Sequence, residues 1–170
     1  MTPTVMLACV MVFSDLSAER NKKFNQETHR AIAQNICASA NKNDIEPKLL
    51  AAYILTENSR FDPFSAQPAA QGEDKGLYQS NSHFHGDKAN FALVNHPYYA
   101  TDIAAQIIRE NFKRFGNTWK AIAAYWNPRK AREESPDAIR YYERWLMNYQ
   151  TVNAMFAKAE KANYSRNDND

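Results

Sequence analysis

Two carboxylic acids in unlike surroundings are the chemically suggestive feature of this 170-residue chain. Glu57 closes the segment 47–57, PKLLAAYILTE, in which Leu49, Leu50, Tyr53 and Ile54 recur at helical spacing. It falls four residues after Tyr53 and three after Ile54, so it shares their apolar stripe. A carboxylate on a dry face has its charged form disfavoured and its pKa raised. At a pKa of ~4.3 about one glutamate in 500 is protonated at pH 7, and at ~6 about one in ten. Only the second case makes a useful acid. The plainer alternative is a helix-terminal glutamate that bends out to water. The second carboxylate, Asp74, stands in Asp74-x-Gly76-x-x-Gln79-x-Asn81-Ser82. A raised acid beside an ordinary carboxylate suits cleavage of a glycosidic bond.

Gly72, Gly76 and Gly86 are three of the four glycines in the chain and fall within fifteen residues of one another. The backbone there is expected to turn sharply or to admit a ligand closely. Tyr78 and Phe84 add aromatic faces, and Gln79, Asn81 and Ser82 add hydrogen-bonding groups. Amides beside rings suit a carbohydrate, while a polar β-hairpin with solvated amides explains the same residues without a ligand. His83-Phe84-His85 is weak as a metal site, because two histidines lack a third ligand at a useful spacing.

The run ENSRFDPFSAQ followed by DKGLYQSNS resembles the Glu-Ser-x-Phe and Gly-Leu-Met-Gln blocks of lytic transglycosylases of the goose/hen lysozyme superfamily. Asp-x-Gly-x-x-Gln-x-Asn-Ser is similar also to lysozymes of the hen type. RFGNTWKAIAAYW and AIRYYERW resemble later blocks of the small secretion-associated (IagB-like) group, so the likeness spans about residues 36–145. It implies a mainly α, lysozyme-like domain with a small β-hairpin, acting on glycan strands of peptidoglycan without a cofactor or metal. It implies Glu57 as the catalytic acid/base and Asp74 as a second catalytic acidic position. Gln79 and Tyr125 are implied on the substrate side and Tyr141 as the tyrosine of the closing helix, and Ser59, Tyr78 and Asn81 are expected to bind substrate beside them. Two departures stand out. Asn58 intervenes, so Ser59 and Phe61 each come one place late, and Tyr125-Trp126-Asn127-Pro128 replaces Tyr-Asn-Ala-Gly.

The product chemistry stays open between an anhydro-forming lytic transglycosylase and a hydrolytic muramidase. The context stays open among a secretion or conjugation apparatus, a phage, and a non-catalytic peptidoglycan-binding or assembly protein. Twenty-one basic against nineteen acidic residues leave little net field, so nothing points to nucleic acid. The basic run Arg129-Lys130-x-Arg132 reads as a solvated loop, with a peptidoglycan-carboxylate contact as the alternative.

The length suits one domain and a monomer. The apolar run Val5 to Phe13 is too short to span a bilayer and has the length of an export-signal core. Leu16-Ser17-Ala18 would permit cleavage, which would make residues 1–18 a leader, 19–163 the domain and 164–170 a frayed polar tail. Periplasmic localisation follows from that reading, with phage delivery as the alternative. The leader has no basic residue, and a lipid anchor at Cys9 or a structured N-terminal segment remains open. Loss of the leader would leave Cys37 alone as a small apolar side chain, with no disulfide framework.

Helices are expected near 26–41 and 47–57, from a Thr101 cap to an αL Gly116, over 118–126 up to a stop at Pro128, and from Ser135 into the 160s. The stripes Trp119/Ile122 and Trp145/Leu146/Tyr149 are expected in the core.

Overall fold

The computed structural model describes residues 1–69, 71–82 and 93–167, with side chains as far as Lys161. Among these residues it is mainly helical: α1 Pro3–Arg20, α2 Gln26–Lys42, α3 Pro47–Glu57, α4 Pro97–Phe115, α5 Trp119–Ala123, α6 Pro128–Arg132 and α7 Pro136–Asn167. Three short strands, β1 Ala66–Pro68, β2 Glu73–Lys75 and β3 Ser80–Asn81, lie between α3 and α4. Proline opens α1, α3, α4, α6 and α7, where the N–H it lacks would have no partner in any case. Side-chain oxygens of Thr2, Asn25 and Asn127 cap α1, α2 and α6.

Several boundaries differ from expectation for local reasons. The helix expected to start at Thr101 starts at Pro97, and the Thr101 hydroxyl bonds back to the Pro97 carbonyl at 2.8 Å inside it. Gly116 ends that helix at φ 71° and ψ −174°, a positive-φ conformation outside αL. Pro128 does not only stop a helix; capped by Asn127, it opens α6. The sheet has three antiparallel strands in the order β1-β2-β3, where a single hairpin was expected. The last helix continues to Asn167, into the segment expected to fray. His83, Phe84, His85 and Gly86 lie outside the described residues.

The N-terminal segment forms the 18-residue helix α1, which packs on α2 and α7. Ala8, Cys9, Val12, Phe13 and Leu16 are all buried, and Phe13 meets Phe61 and Phe156 at ring distances of 6.3 and 6.4 Å. Ser17 and His29 share a buried 2.8 Å hydrogen bond between α1 and α2. The expectation for the cysteines is corrected here: Cys9 and Cys37 form a disulfide between α1 and α2. The apolar spacing that read as a leader core is also that of a helix buried among its neighbours. No described helix is long and apolar enough to cross a membrane.

α3 is nearly sheathed. Leu50, Tyr53 and Ile54 are fully buried, with Tyr53 4.8 Å from the Tyr125 ring and 5.6 Å from that of Trp145. Trp145 and Ile122 are core residues as expected, with Leu146 and Tyr149 packed against them; Trp119 lies on a smaller cluster with Ala123, Ala131 and Tyr141.

Candidate functional site

Glu57 is the last residue of α3, so its carboxyl leaves the apolar core at the point where the helix stops. Asn58 makes that stop. Its N–H bonds to the Ile54 carbonyl at 2.7 Å, and its amide nitrogen donates to the Asp62 carbonyl (2.7 Å), the Gly76 carbonyl (3.1 Å) and the Ser65 hydroxyl (3.2 Å). The extra residue is thus absorbed in the loop after the helix, and Phe61 keeps a fully buried site at φ 53°. Ser59 is exposed, and Asn58 makes the loop bonds in its place.

The sheet forms the facing wall. Gly76 has φ 75°, and a Cβ there would stand 2.4 Å from the Val94 carbonyl oxygen, so only glycine fits this turn. Register places Gln67 opposite Asp74 and Asp74 opposite Asn81 across three strands. The Asn81 amide donates to the Asp74 carboxylate at 2.7 Å and to the Gln71 carbonyl at 2.9 Å, which fixes the carboxylate's direction. Gln79 is held by donation to Ser65 (2.7 Å) and Gly76 (2.8 Å) and by acceptance from Gln67 (2.8 Å).

Between these walls lies a cavity of about 660 Å³ lined by Glu57, Asp74, Gln79, Asn81 and Tyr125, together with Asn111, Trp126 and others. That volume is within the range of sites for sizeable ligands. Burial pushes the Glu57 carboxyl up to about 7. A hydrogen bond from the Tyr141 hydroxyl and the nearby Arg144 guanidinium pull it down, and the Asp74 charge raises it. Half of such carboxyls are protonated near neutrality, and each can give up its proton and take it back. Burial keeps Tyr141 itself protonated, so its hydroxyl has a proton to donate to Glu57. On the same helix, the Asn148 amide bonds to the Thr56 hydroxyl at 2.9 Å and locks α7 to the end of α3.

The structure therefore brings Glu57, Asp74, Gln79, Asn81 and Tyr125 to one cavity and sets Tyr141 behind the acid. Ser59 and Tyr78 are not among the residues that line it. Tyr78 is fully buried: its hydroxyl meets that of Thr101 at 3.2 Å, and its carbonyl accepts from Tyr125 at 3.2 Å. Its neighbour Gln79 turns to the cavity instead. Sequence reasoning missed Arg144, whose guanidinium lies 5.5 Å from the Tyr141 ring centre. It also missed Trp126 as an open face: this residue is 43% exposed and nearly parallel to Tyr141 at 6.0 Å. The order Tyr125-Trp126-Asn127-Pro128 held that signal, since a tryptophan between a buried tyrosine and a helix cap has only the cavity side left. Among the described residues no group of three His, Cys, Asp or Glu could hold a metal ion.

A mainly helical domain with a small antiparallel sheet and a cavity between them has the architecture of the lysozyme-like fold. Residues 34–135, more than half the chain, match the transglycosylase SLT domain, and the protein belongs to that family. It is in general terms a peptidoglycan lytic transglycosylase with a lysozyme-like fold. No curated protein and no solved structure matches the chain.

Proposed function

We propose that Glu57 is the acid and then the base in cleavage of the MurNAc–GlcNAc β-1,4 bond. Glu57 gives its proton to the glycosidic oxygen as the bond from that oxygen to muramyl C1 breaks, freeing the GlcNAc 4-hydroxyl. The muramyl 6-hydroxyl then bonds to C1 and returns its proton to Glu57, leaving a 1,6-anhydro end without consuming water. One group performs both steps only if its pKa lies near the working pH. The observation that carries this reading is the Glu57 carboxyl at about 7 on the wall of the 660 Å³ cavity. Gln79, Asn81 and Tyr125 would position the sugars, and Trp126 offers a ring face to one of them. Glu57→Gln should reduce release of muropeptides from purified sacculi by roughly 10²–10⁴-fold. Release near the wild-type rate overturns the assignment.

Hydrolysis is the second reading, because Asp74 lines the same cavity with its carboxylate already oriented by Asn81. Mass spectrometry of the released muropeptides separates the two. Anhydro ends are expected, and reducing MurNAc ends would transfer the assignment to lysozyme-type chemistry. For context, we infer action in the periplasm as a local opener of the wall beside a secretion or conjugation apparatus. The Cys9–Cys37 disulfide supports an oxidising compartment.

A further inference from the structure

A second cavity of about 520 Å³ adjoins the first and shares Gln71, Arg114, Asn127 and Pro128 with it. Its remaining lining residues are Arg129 and Arg132, so three arginines line a space that adjoins that of Glu57. Three elements supply its walls: the end of α4, the loop before β2, and α6. Arg114 and Arg132 have no ion-pair partner among the described residues. Among the described residues Arg129 pairs with Glu133 alone, 3.9 Å away at the exposed C-cap of the same short helix, a pair of little energetic weight. The lining of this chamber holds three arginines and no acidic side chain, a setting that favours a bound anion.

The substrate has anions in the right relation to this place. The sugar backbone of peptidoglycan is itself uncharged, while peptides branch sideways from the muramyl lactyl group and carry several carboxylates. A groove that holds the glycan must leave a side chamber for that branch. We propose that the arginine-lined chamber is a subsite for the carboxylates of the stem peptide, making the protein selective for peptide-bearing strands. Arginine suits the task because its planar donor fork matches a carboxylate two bonds at a time. The inference rests on the peptidoglycan reading above and extends it to the peptide.

The test reads binding, so it does not depend on catalysis by Glu57. The full-length Glu57→Gln protein is titrated with three fluorescent ligands: a glycan strand bearing tetrapeptides, the same strand stripped to its lactyl carboxylates, and an uncharged GlcNAc oligomer. Tightest binding to the tetrapeptide strand is expected. Adding Arg129→Gln and Arg132→Gln should weaken that binding roughly tenfold and remove most of the preference over the stripped strand. The preference of the unsubstituted arginine site should also shrink as salt is raised from low to physiological concentration and beyond, a readout that needs no arginine variant. Equal affinity for tetrapeptide and stripped strands, or a preference untouched by both the substitutions and salt, overturns the subsite. Failure of Glu57→Gln to lose activity would instead overturn the catalytic assignment and leave this result standing.

Discussion

At the scale of single residues, Glu57 is governed by opposed influences whose balance can be shifted. Burial raises its pKa, and the Tyr141 hydrogen bond and the Arg144 charge lower it. The proposed first step needs the protonated form, so activity should fall as pH rises through about 7. Tyr141→Phe removes a bond that favours the carboxylate, which raises the pKa further. Its alkaline limb should therefore move to higher pH, while the maximal rate drops because the acid is less well held. A pH–rate profile on soluble glycan strands checks the sign, and a limb displaced to lower pH would contradict it. Half of this arrangement was legible in the sequence. The Tyr53/Ile54/Glu57 spacing put the acid on a dry stripe. Arg144 was not legible, because an arginine on an exposed helical face looks the same whether it points to water or back across a tyrosine.

At the scale of elements, the join between α3 and the sheet depends on one amide. Asn58 read as an intruder in the Glu-Ser pattern, yet it ties the helix end to Asp62, Ser65 and Gly76. Asn58→Ala should cost about 1–3 kcal/mol, the range for leaving buried partners unsatisfied, seen as a lower Tm. Asn58→Asp should be no milder, since it sets a carboxylate against two carbonyls. A Tm unchanged in both would show the join to be held elsewhere. Pattern alone missed this because a polar residue after a helix is common, and its reach across eighteen residues to Gly76 exists only after folding. Helices with a strong apolar stripe, such as the one ending at Glu57, were readable. The three-stranded sheet was not, because strands of two or three residues carry no periodic signal. Tyr78 went astray for a related reason. Beside Gln79 in a tight turn, either side chain could have faced the ligand, and the larger, more apolar one went inward.

At the scale of the whole molecule, α1 is part of the core and is fastened to α2 by Cys9–Cys37. Closing a loop of 28 residues restricts the unfolded chain by about 3–4 kcal/mol in the chain-entropy account. Cys9→Ser with Cys37→Ser should lose stability of that order in denaturant titration, and reduction of the wild type should approach the same value. Protein recovered from the compartment where it acts should also retain residues 3–20 and show no free thiol by mass spectrometry. A mature chain beginning at Glu19 would mean that the domain holds together without Cys9, Phe13 and Leu16. The leader-like reading and the core helix compete for one stretch of sequence because both need a continuous apolar run. Only the partners on α2 and α7 distinguish them.

The contact between Tyr141 and Glu57 spans 84 residues of chain. During synthesis Glu57 leaves the ribosome long before α7 exists, and until then its carboxyl has no tyrosine to hold it. An unfinished or clipped chain therefore lacks both the Tyr141 hydrogen bond and the Arg144 charge that act on this carboxyl. Under the proposed assignment, Glu57 reaches its working setting only once the last helix has docked, so the acid and the group that orients it meet at the end of synthesis.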